Sequence, residues 1–371
     1  MISSIFSPSV RSVRLGRDRA EGGIIPKRKW QWAVIVAVLI LATVYFLRYE
    51  AHKRGFHWKV FVNTLAALDW VWLLAAAAFA FATYFVRAVR WAVLLKPLRP
   101  QPRFWNLFAA TAIGFAAVTL FGRPGEFVRP YLIALKERVP FSSQLAAWGL
   151  ERIYDLLFAL LIFGFGLSRV RGSAADVGPA LAWILQVGGG LVAVSGVICL
   201  LLLVLIRQYA DTMRRRLVDS LGFLSKHHLE RAERLVHAFV QGVESTKSSR
   251  AVLLLVLYTF LEWLLLAACY VSIIRAFGTL LHFSFVDVLI LMGFMSFGAV
   301  VQIPGIGGGV QVVAVLVLTE LFSVPLEIAT SVAMLVWITN FVVIVPFGLA
   351  IALGEGLTFR KLKELEREAA S

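Results

Sequence analysis

Long apolar runs separated by short basic segments constrain this chain more than any other feature. A helix that crosses the hydrocarbon core of a bilayer needs about 20 mostly apolar residues. Several runs reach or approach that length, so the sequence predicts a polytopic integral membrane protein. The runs lie at residues 31–48, 70–92, 104–121, 144–168, 179–206, 251–277, 285–303, 308–322 and 330–353.

The composition agrees with this assignment. Of the 371 residues, 60% are hydrophobic and only 16% are charged, whereas a soluble globular chain has about 25% charged residues. The formal net charge of +15 is concentrated between the apolar runs, which favours membrane topology over nucleic-acid binding. The two cysteines, Cys199 and Cys269, fall inside apolar runs and are expected to be packing residues.

The basic segments assign sides of the membrane. Segments rich in Lys and Arg are retained in the cytoplasm, so we expect residues 1–30, 207–250 and 356–371 there. Both termini are then cytoplasmic, in a multi-pass protein of the cell membrane. The same rule applied to the stretch after the second run places five more bases inside: Arg87, Arg90, Lys96, Arg99 and Arg103.

Three apolar runs lie between this stretch and the segment 207–250, which is an odd number. If all three crossed the bilayer, the two basic segments would lie on opposite sides. One run is therefore expected to enter and return on the same side. The run 104–121 is the candidate, because the residues 122–130 that follow it contain two prolines and two glycines, and such a backbone cannot face lipid.

A similar break, rich in glycine, recurs at residues 302–311 between the runs 285–303 and 308–322. The parity of the crossings then requires a second hairpin, entered from the opposite side. The predicted fold is all-α, with about six spanning helices and two opposed re-entrant helical hairpins. The hairpins and their flanking helices form an inverted repeat, as in transporters with broken helices: 70–92, 104–136 and 144–168 in one unit, and 251–277, 285–322 and 330–353 in the other.

This interpretation gives three segments. Residues 1–30 form a cytoplasmic basic N-terminal segment, residues 31–355 the membrane domain, and residues 356–371 a cytoplasmic tail. Within the membrane domain, the basic segment 207–250 is either an amphipathic surface on the inner leaflet or a solvated loop.

Charged side chains inside the apolar runs are the main candidates for function. Each costs roughly 2.5 to 3.5 kcal/mol to insert, so each needs a partner or a task. The densest group in the sequence is Glu151, Arg152 and Asp155. Arg152 either neutralises the two carboxylates and pins the helix, or acts with the charges of the first break to bind an anionic head group, since arginine suits phosphate. Those charges are Arg123, Glu126 and Arg129.

The second break offers a weaker candidate site. Its residues are Pro304, Gly305, Gly307, Gly308 and Gln311, and they allow either a phosphate cradle at a helix start or, as we favour, close packing in a turn. Glu262 is a lone acid in the run 251–277 and is expected to pair with an arginine of the first unit. No motif of a hydrolase or of a metal site is present, so no cofactor and no metal are predicted.

Three groups of residues occur in a fixed order along the chain: Gly122-Arg123-Pro124-Gly125-Glu126 with Arg129-Pro130, then Glu151-Arg152 with Asp155, then Pro304-Gly305 with Gly307-Gly308. This order resembles the lysylphosphatidylglycerol synthase transmembrane region, a family of flippase-like membrane proteins, over roughly residues 30–355.

The resemblance implies a module that moves a phospholipid or a lipid-linked carrier between leaflets, with an anionic phospholipid or a polyprenyl-linked lipid as its partner. Some members carry a cytosolic aminoacyl-transfer domain. The chain ends at Ser371 after a short tail, so we do not expect it to synthesise lysyl-lipid. The family tends to have a glutamate where Gln311 stands and often an arginine where Trp337 stands, which predicts a less charged second half-site.

Two alternatives to translocation remain open at this stage. One is an intramembrane transferase acting on a lipid-linked substrate, with Glu126 or Asp155 as base. The other is a non-catalytic scaffold subunit for envelope enzymes. In either case no nucleic acid is expected as a partner, and the sequence does not indicate an oligomeric state.

Overall fold

The computed structural model describes residues 56–170, 179–220, 242, 248–299, 302–303 and 307–356. The chain divides into the units Met1–His57 and Trp58–Ser371, and every helix described here belongs to the second. In chain order the helices are α1 Trp58–Ala66, α2 Trp70–Leu95, α3 Phe104–Phe121, α4 Val128–Glu137, α5 Phe141–Val170, α6 Pro179–Ser220, α7 Ser249–Ala276, α8 Phe285–Gly298, α9 Gly309–Glu320 and α10 Leu326–Gly354.

The predicted fold class is confirmed. Across the described ranges the regular structure is helical, apart from a two-residue ladder of Gln302–Ile303 (β1) with Gly307–Gly308 (β2). Six of the described helices are long and apolar enough to cross a membrane: α2, α3, α5, α6 (over Gln186–Leu205), α7 and α10. The apolar run 31–48 lies outside the described residues, so the predicted crossing there is not among these six.

Local signals in the sequence explain where several helices begin and end. The Asp69 carboxylate accepts a hydrogen bond of 2.8 Å from the Val71 amide at the start of α2, and Ser284 and Asp287 form a capping box at the start of α8. Helix α3 stops at Gly122, whose φ of 72° favours glycine. Helix α6 continues to Ser220, so the first residues of the basic segment 207–250 are helical.

Helices α2 and α7 form an antiparallel pair at the centre of the fold. The Asp69 amide, which precedes α2, donates a hydrogen bond of 2.9 Å to the carbonyl of Ala276, the last residue of α7. Each hairpin has its base at one of the two ends of this pair. The first end is where α2 begins, and the second end is where α2 finishes.

Hairpin A consists of α3, the 3-10 turn Arg123–Phe127 and α4. Its two arms are antiparallel, since Asn106 near the start of α3 donates a hydrogen bond of 2.7 Å to the carboxylate of Glu137 at the end of α4. A glycine allows the arms to touch, because a Cβ on Gly114 would lie 2.5 Å from Cβ of Arg129. Arg99, just beyond α2, lies 3.6 Å from Glu137, which places the base of hairpin A at the second end.

Hairpin B consists of α8, the β1–β2 turn and α9. The residues that flank it meet, since the rings of Phe283 and Phe322 are 4.6 Å apart. Helix α8 begins at Phe285, only nine residues after α7 ends at Ala276, which places the base of hairpin B at the first end. With 14 and 12 residues, α8 and α9 are about 21 and 18 Å long, less than the roughly 30 Å of a hydrocarbon core.

The turns of the two hairpins touch each other. Arg123 in the turn of hairpin A donates a hydrogen bond of 2.7 Å to the carbonyl of Ala299, which follows α8 in hairpin B. The bases thus lie at opposite ends of the α2–α7 pair while the turns meet between them. Entry into the membrane from opposite faces and the inverted repeat stay predictions, because these contacts do not locate the membrane surfaces.

The described residues form two apolar cores, one beside each hairpin. One core surrounds hairpin B and includes Phe163 of α5, Phe294 of α8 and Val332 of α10. The other surrounds hairpin A and includes Trp91 of α2 and Leu107 of α3. The candidate site lies on the side of hairpin A.

Candidate functional site

Arg90 is the centre of a buried group of charges. It lies on α2, is 1% exposed, and contacts side chains of two other helices. Its Nη1 atom donates hydrogen bonds of 2.6 Å to Asp155 and 2.9 Å to Thr259, and its Nη2 atom donates one of 2.5 Å to Glu151. A planar guanidinium suits this task because its donors point in fixed directions. Arg90 therefore joins α2 to both α5 and α7.

Glu262 on α7 pairs with two arginines of α2. Its carboxylate lies 2.8 Å from Nε of Arg87 and 3.2 Å from Nη1 of Arg90. The two arginines are three residues apart, so they share one face of the helix. The guanidinium of Arg87 also lies 4.2 Å from the centre of the Phe115 ring. The expected pairing of Glu262 with an arginine is thus observed, and its partners are Arg87 and Arg90.

Arg129 on α4 is buried and paired with Glu151. Both of its terminal nitrogens donate to that carboxylate, and its guanidinium lies 4.1 Å from the ring centre of Trp91. Trp91 is itself fixed by a hydrogen bond of 3.0 Å from its indole nitrogen to Gln144. Arg129 is held in one orientation, because the ring of Trp91 covers one face of its guanidinium and both terminal nitrogens donate to Glu151.

Arg152 differs from the other arginines in its exposure. Its side chain is 37% exposed, and its Nη2 atom lies 3.3 Å from Asp155 and 3.6 Å from Glu151. Among the residues that the structure describes, its buried Nε atom has no hydrogen-bond partner. Arg152 therefore contacts the carboxylates and stays partly accessible at the surface.

These residues form what we call the arginine–carboxylate cluster, built from α2, α4, α5 and α7. It contains four arginines and three carboxylates, so its formal charge is one positive unit: Arg87, Arg90, Arg129 and Arg152 against Glu151, Asp155 and Glu262. Charges within apolar helices are costly unless they are paired, and here nearly all the pairing is internal. The unbalanced charge is accessible at Arg152.

The structure brings the predicted residues of the first half together in two groups. Arg129, Glu151, Arg152 and Asp155 belong to the cluster. Arg123 and Glu126 form an ion pair of 2.6 Å in the turn of hairpin A. The two groups are neighbours, since the turn Arg123–Phe127 leads directly into α4, which carries Arg129. Arg123 is 53% exposed, so it and Arg152 are the predicted arginines that reach the surface.

The predicted residues of the second half lie in the turn of hairpin B. Pro304 and Gly305 fall outside the described residues. Gly307 pairs with Ile303 in the ladder. The Gly308 amide donates a hydrogen bond of 2.7 Å to the side-chain oxygen of Gln311, so that glutamine caps helix α9. Its amide oxygen accepts as a glutamate oxygen would, but it brings no charge.

Arg87 and Arg90 are the residues of the cluster that the sequence analysis did not single out as site candidates. They were expected in the basic stretch after the second run, but both lie inside α2, which continues to Leu95. The expectation was wrong because bases near the end of an apolar run look alike whether they face water or a buried carboxylate. A signal was present: Arg87 and Arg90 are separated by one helical turn and followed by Trp91 and further apolar residues.

The fold and the site together define a multi-pass integral membrane protein with a buried charged centre. Comparison with known families matches residues 30–348 to the lysylphosphatidylglycerol synthase TM region, and the chain belongs to that family, as the resemblance indicated. "Glycosyltransferase AglD" of Haloferax volcanii is 25% identical over 208 residues, which is 51% of this chain and 33% of the relative. The match thus spans about a third of that relative's length. No solved structure matches the chain.

The family supports a coarse functional statement. Its description names a synthase of a membrane lipid, and the arrangement of apolar helices requires contact with the bilayer. The protein therefore has a function related to membrane lipid and interacts with membrane lipid.

Proposed function

We propose that this protein moves an anionic membrane lipid from one leaflet to the other, and that the arginine–carboxylate cluster with the Arg123–Glu126 pair binds the lipid head group. The observation that carries the proposal is the accessible positive charge of Arg152 within an apolar helix. A phosphate that leaves water needs charged donors to replace its hydration, and an exposed guanidinium beside a net positive cluster supplies them.

The residues divide into two roles. Arg123 and Arg152 reach the surface, so they contact the head group. Glu126, Asp155 and Glu151 orient these arginines, and the buried Arg129 and Arg90 fix the carboxylates in turn. Ala299 at the end of α8 contacts Arg123 in the turn of hairpin A, and the glycine-rich turn that follows Ala299 would close the path there.

The contact between the two turns supports a path that opens to either side. Hairpins that start at opposite ends and touch in the middle leave a polar region between two membrane faces, as in transporters with discontinuous helices. Breaking the Arg123–Ala299 contact would let one hairpin move without the other. We place both termini in the cytoplasm and the protein in the cell membrane, on the positive-inside rule.

The experiment is lipid exchange in reconstituted vesicles. Purified protein is inserted into vesicles that contain a fluorescent phosphatidylglycerol, phosphatidylethanolamine or polyprenyl phosphate, and the outer label is quenched over time. We expect faster exchange of the anionic lipids than in protein-free vesicles. Arg152→Gln should slow this exchange by about tenfold or more, because a charged hydrogen bond to phosphate contributes about 1.5 to 3 kcal/mol.

A matched control lies on the same helix. Arg169 of α5 is exposed and its guanidinium lies 5.3 Å from the Phe165 ring, away from the cluster. Arg169→Gln removes the same charge from the same helix and should leave exchange unchanged. Equal exchange with and without the wild-type protein across the whole panel, in vesicles where the protein is shown to be folded, would end the proposal.

The archaeal relative's name favours a second candidate, transfer of a sugar to or from a lipid carrier. In this hypothesis Glu126 or Asp155 would be the base. Both are already in ion pairs, Glu126 with Arg123 and Asp155 with Arg90 and Arg152, so we rank it below translocation. Incubation of the protein with a radiolabelled nucleotide sugar and polyprenyl phosphate tests it, since a transferase forms a labelled lipid without any leaflet exchange.

A further inference from the structure

A cavity opens between α5, α6 and α7. Its volume is about 580 Å³. Its lining is apolar apart from Tyr154, and includes Leu157 and Leu161 of α5, Gly196 and Leu203 of α6, and Val256 of α7. Leu161 is 67% exposed, so the cavity is open at the surface of the protein, beside helices that are apolar enough to span a membrane.

The lining of the cavity begins close to the arginine–carboxylate cluster along two helices. On α5, the lining residue Phe158 follows Asp155 by three residues, so the two share one face of the helix. On α7, Val256 precedes by three residues Thr259, which accepts a hydrogen bond from Arg90. The apolar lining therefore begins within one helical turn of the charges on two helices. An apolar cavity beside a net positive cluster matches a ligand with a hydrocarbon tail and an anionic head.

The volume indicates which tail would fit. A dry cavity of about 150 Å³ in another protein holds benzene, which has six carbons. By the same ratio this cavity of about 580 Å³ holds on the order of twenty carbons, the size of one fatty acyl chain. A long polyprenyl chain has several times as many carbons, so only a fraction of its length would fit into this cavity.

We infer that this cavity binds one acyl chain of an anionic glycerophospholipid while the phosphate lies at Arg152. The inference rests on the proposed function for the identity of the head-group site, and it deepens that proposal by naming the lipid class. Burial of methylene groups in the cavity would provide affinity, and the cluster would provide selectivity for the negative charge.

Gly196 provides a direct test, because a Cβ added there meets no atom within 4 Å and its side chain would project into the cavity lining. Gly196→Phe should fill the cavity without disturbing the backbone. Gly190 on the same helix is the matched control, since it is exposed, lies outside the lining, and also has no atom within 4 Å of an added Cβ. Gly196→Leu is a smaller second variant in case the phenylalanine prevents folding.

The probe is phosphatidylglycerol with a photoactivatable diazirine on one acyl chain, in vesicles of phosphatidylcholine. After illumination, the labelled peptides are mapped by mass spectrometry. We expect label on α5, α6 and α7 around the cavity in the wild type and in Gly190→Phe. Labelling should fall by roughly tenfold or more in Gly196→Phe, because several methylene groups would lose their apolar contacts.

Two outcomes would overturn the inference. One is label that is spread evenly over the lipid-facing helices, or that is equal in Gly196→Phe and Gly190→Phe, which means ordinary bilayer contact. The other is competition by unlabelled polyprenyl phosphate as strong as by unlabelled phosphatidylglycerol, which assigns the cavity to a different lipid. Leaflet exchange is measured on the same samples. Specific labelling without exchange would support this inference and contradict the proposed function. Exchange without specific labelling would support the proposed function and contradict this inference.

Discussion

The side chain of Arg123 donates a hydrogen bond of 2.7 Å to the carbonyl of Ala299, which is 176 residues away in sequence. This contact joins the turn of hairpin A to the turn of hairpin B. The bases of the hairpins lie at opposite ends of the α2–α7 pair, near Glu137 in one case and near Phe283 in the other. The joined turns are therefore reached from two opposite ends of the bundle.

If the ends of the bundle correspond to the two membrane faces, the hairpin bases should be labelled from different sides. We expect a cysteine at Arg138 to react only with a reagent inside the cell, and one at Leu280 to react only from outside. Both positions are exposed. The background carries Cys199→Ala and Cys269→Ala, which remove two buried thiols. Reaction of both positions from one side would contradict opposed entry.

Glu151 should matter more for stability than Arg152. Glu151→Gln removes the charge that both Arg90 and Arg129 contact, and an uncompensated buried charge costs about 3 to 5 kcal/mol. Arg152→Gln removes a half-exposed group and should leave the unfolding temperature nearly unchanged. Thermal unfolding of the purified variants in detergent measures both. A triple variant with Glu151, Arg152 and Asp155 changed to neutral residues is expected to unfold, since it would remove two carboxylates from Arg90 and the one that pairs with Arg129 among the described residues.

A larger fall in unfolding temperature for Arg152→Gln than for Glu151→Gln would contradict these roles. It would mean that Arg152 pins the helix, as in the structural alternative drawn from the sequence. The double variant Glu151→Leu with Arg129→Met serves as a further check. It removes a buried pair together, so it should be more stable than Glu151→Gln alone.

Arg90 should not be replaceable by lysine. Arg90 donates to Asp155, Glu151 and Thr259 with two terminal nitrogens in a fixed plane, and a lysine ammonium cannot reach the same acceptors on two helices. Arg90→Lys is expected to destabilise the protein by a few kcal/mol, in the range seen when a buried charge network is broken. The unfolding midpoint in detergent, compared with Lys96→Arg at the end of the same helix as a control, tests this. An unchanged midpoint would show that only the charge of Arg90 is needed.

Gly348 should tolerate no side chain. It lies on α10, where an added Cβ would be 2.6 Å from the carbonyl oxygen of Ala112 on α3. Gly348→Ala would push these helices apart and should cost about 1 to 3 kcal/mol. Gly149→Ala on α5 is the control, because its Cβ would meet nothing within 4 Å, and it should be neutral or slightly stabilising through helix propensity. The unfolding midpoint of Gly348→Ala should therefore fall, while that of Gly149→Ala should rise slightly or stay unchanged.

Much of the fold could be predicted because it depends on local sequence. A run such as 104–121 is long and apolar, and the structure has a helix over Phe104–Phe121. The break that follows was visible because Gly122 and Pro124 interrupt a helix whatever surrounds them. Caps such as Asp69 and Ser284 act within three residues. The family, too, was recognisable from the order of short motifs along the chain.

The partners of the charges could not be predicted, because they are distant in sequence and depend on how the helices pack. Arg90 and Glu262 lie 172 positions apart, and only the antiparallel packing of α2 against α7 brings them together. The sequence alone therefore determined that this is a helical membrane protein with two broken hairpins and a charged run on α5. Only the tertiary structure decided which arginines of the cluster are buried in pairs and which one, Arg152, stays partly exposed. In low dielectric each charge is stabilised by whichever opposite charge the fold places within a few ångströms.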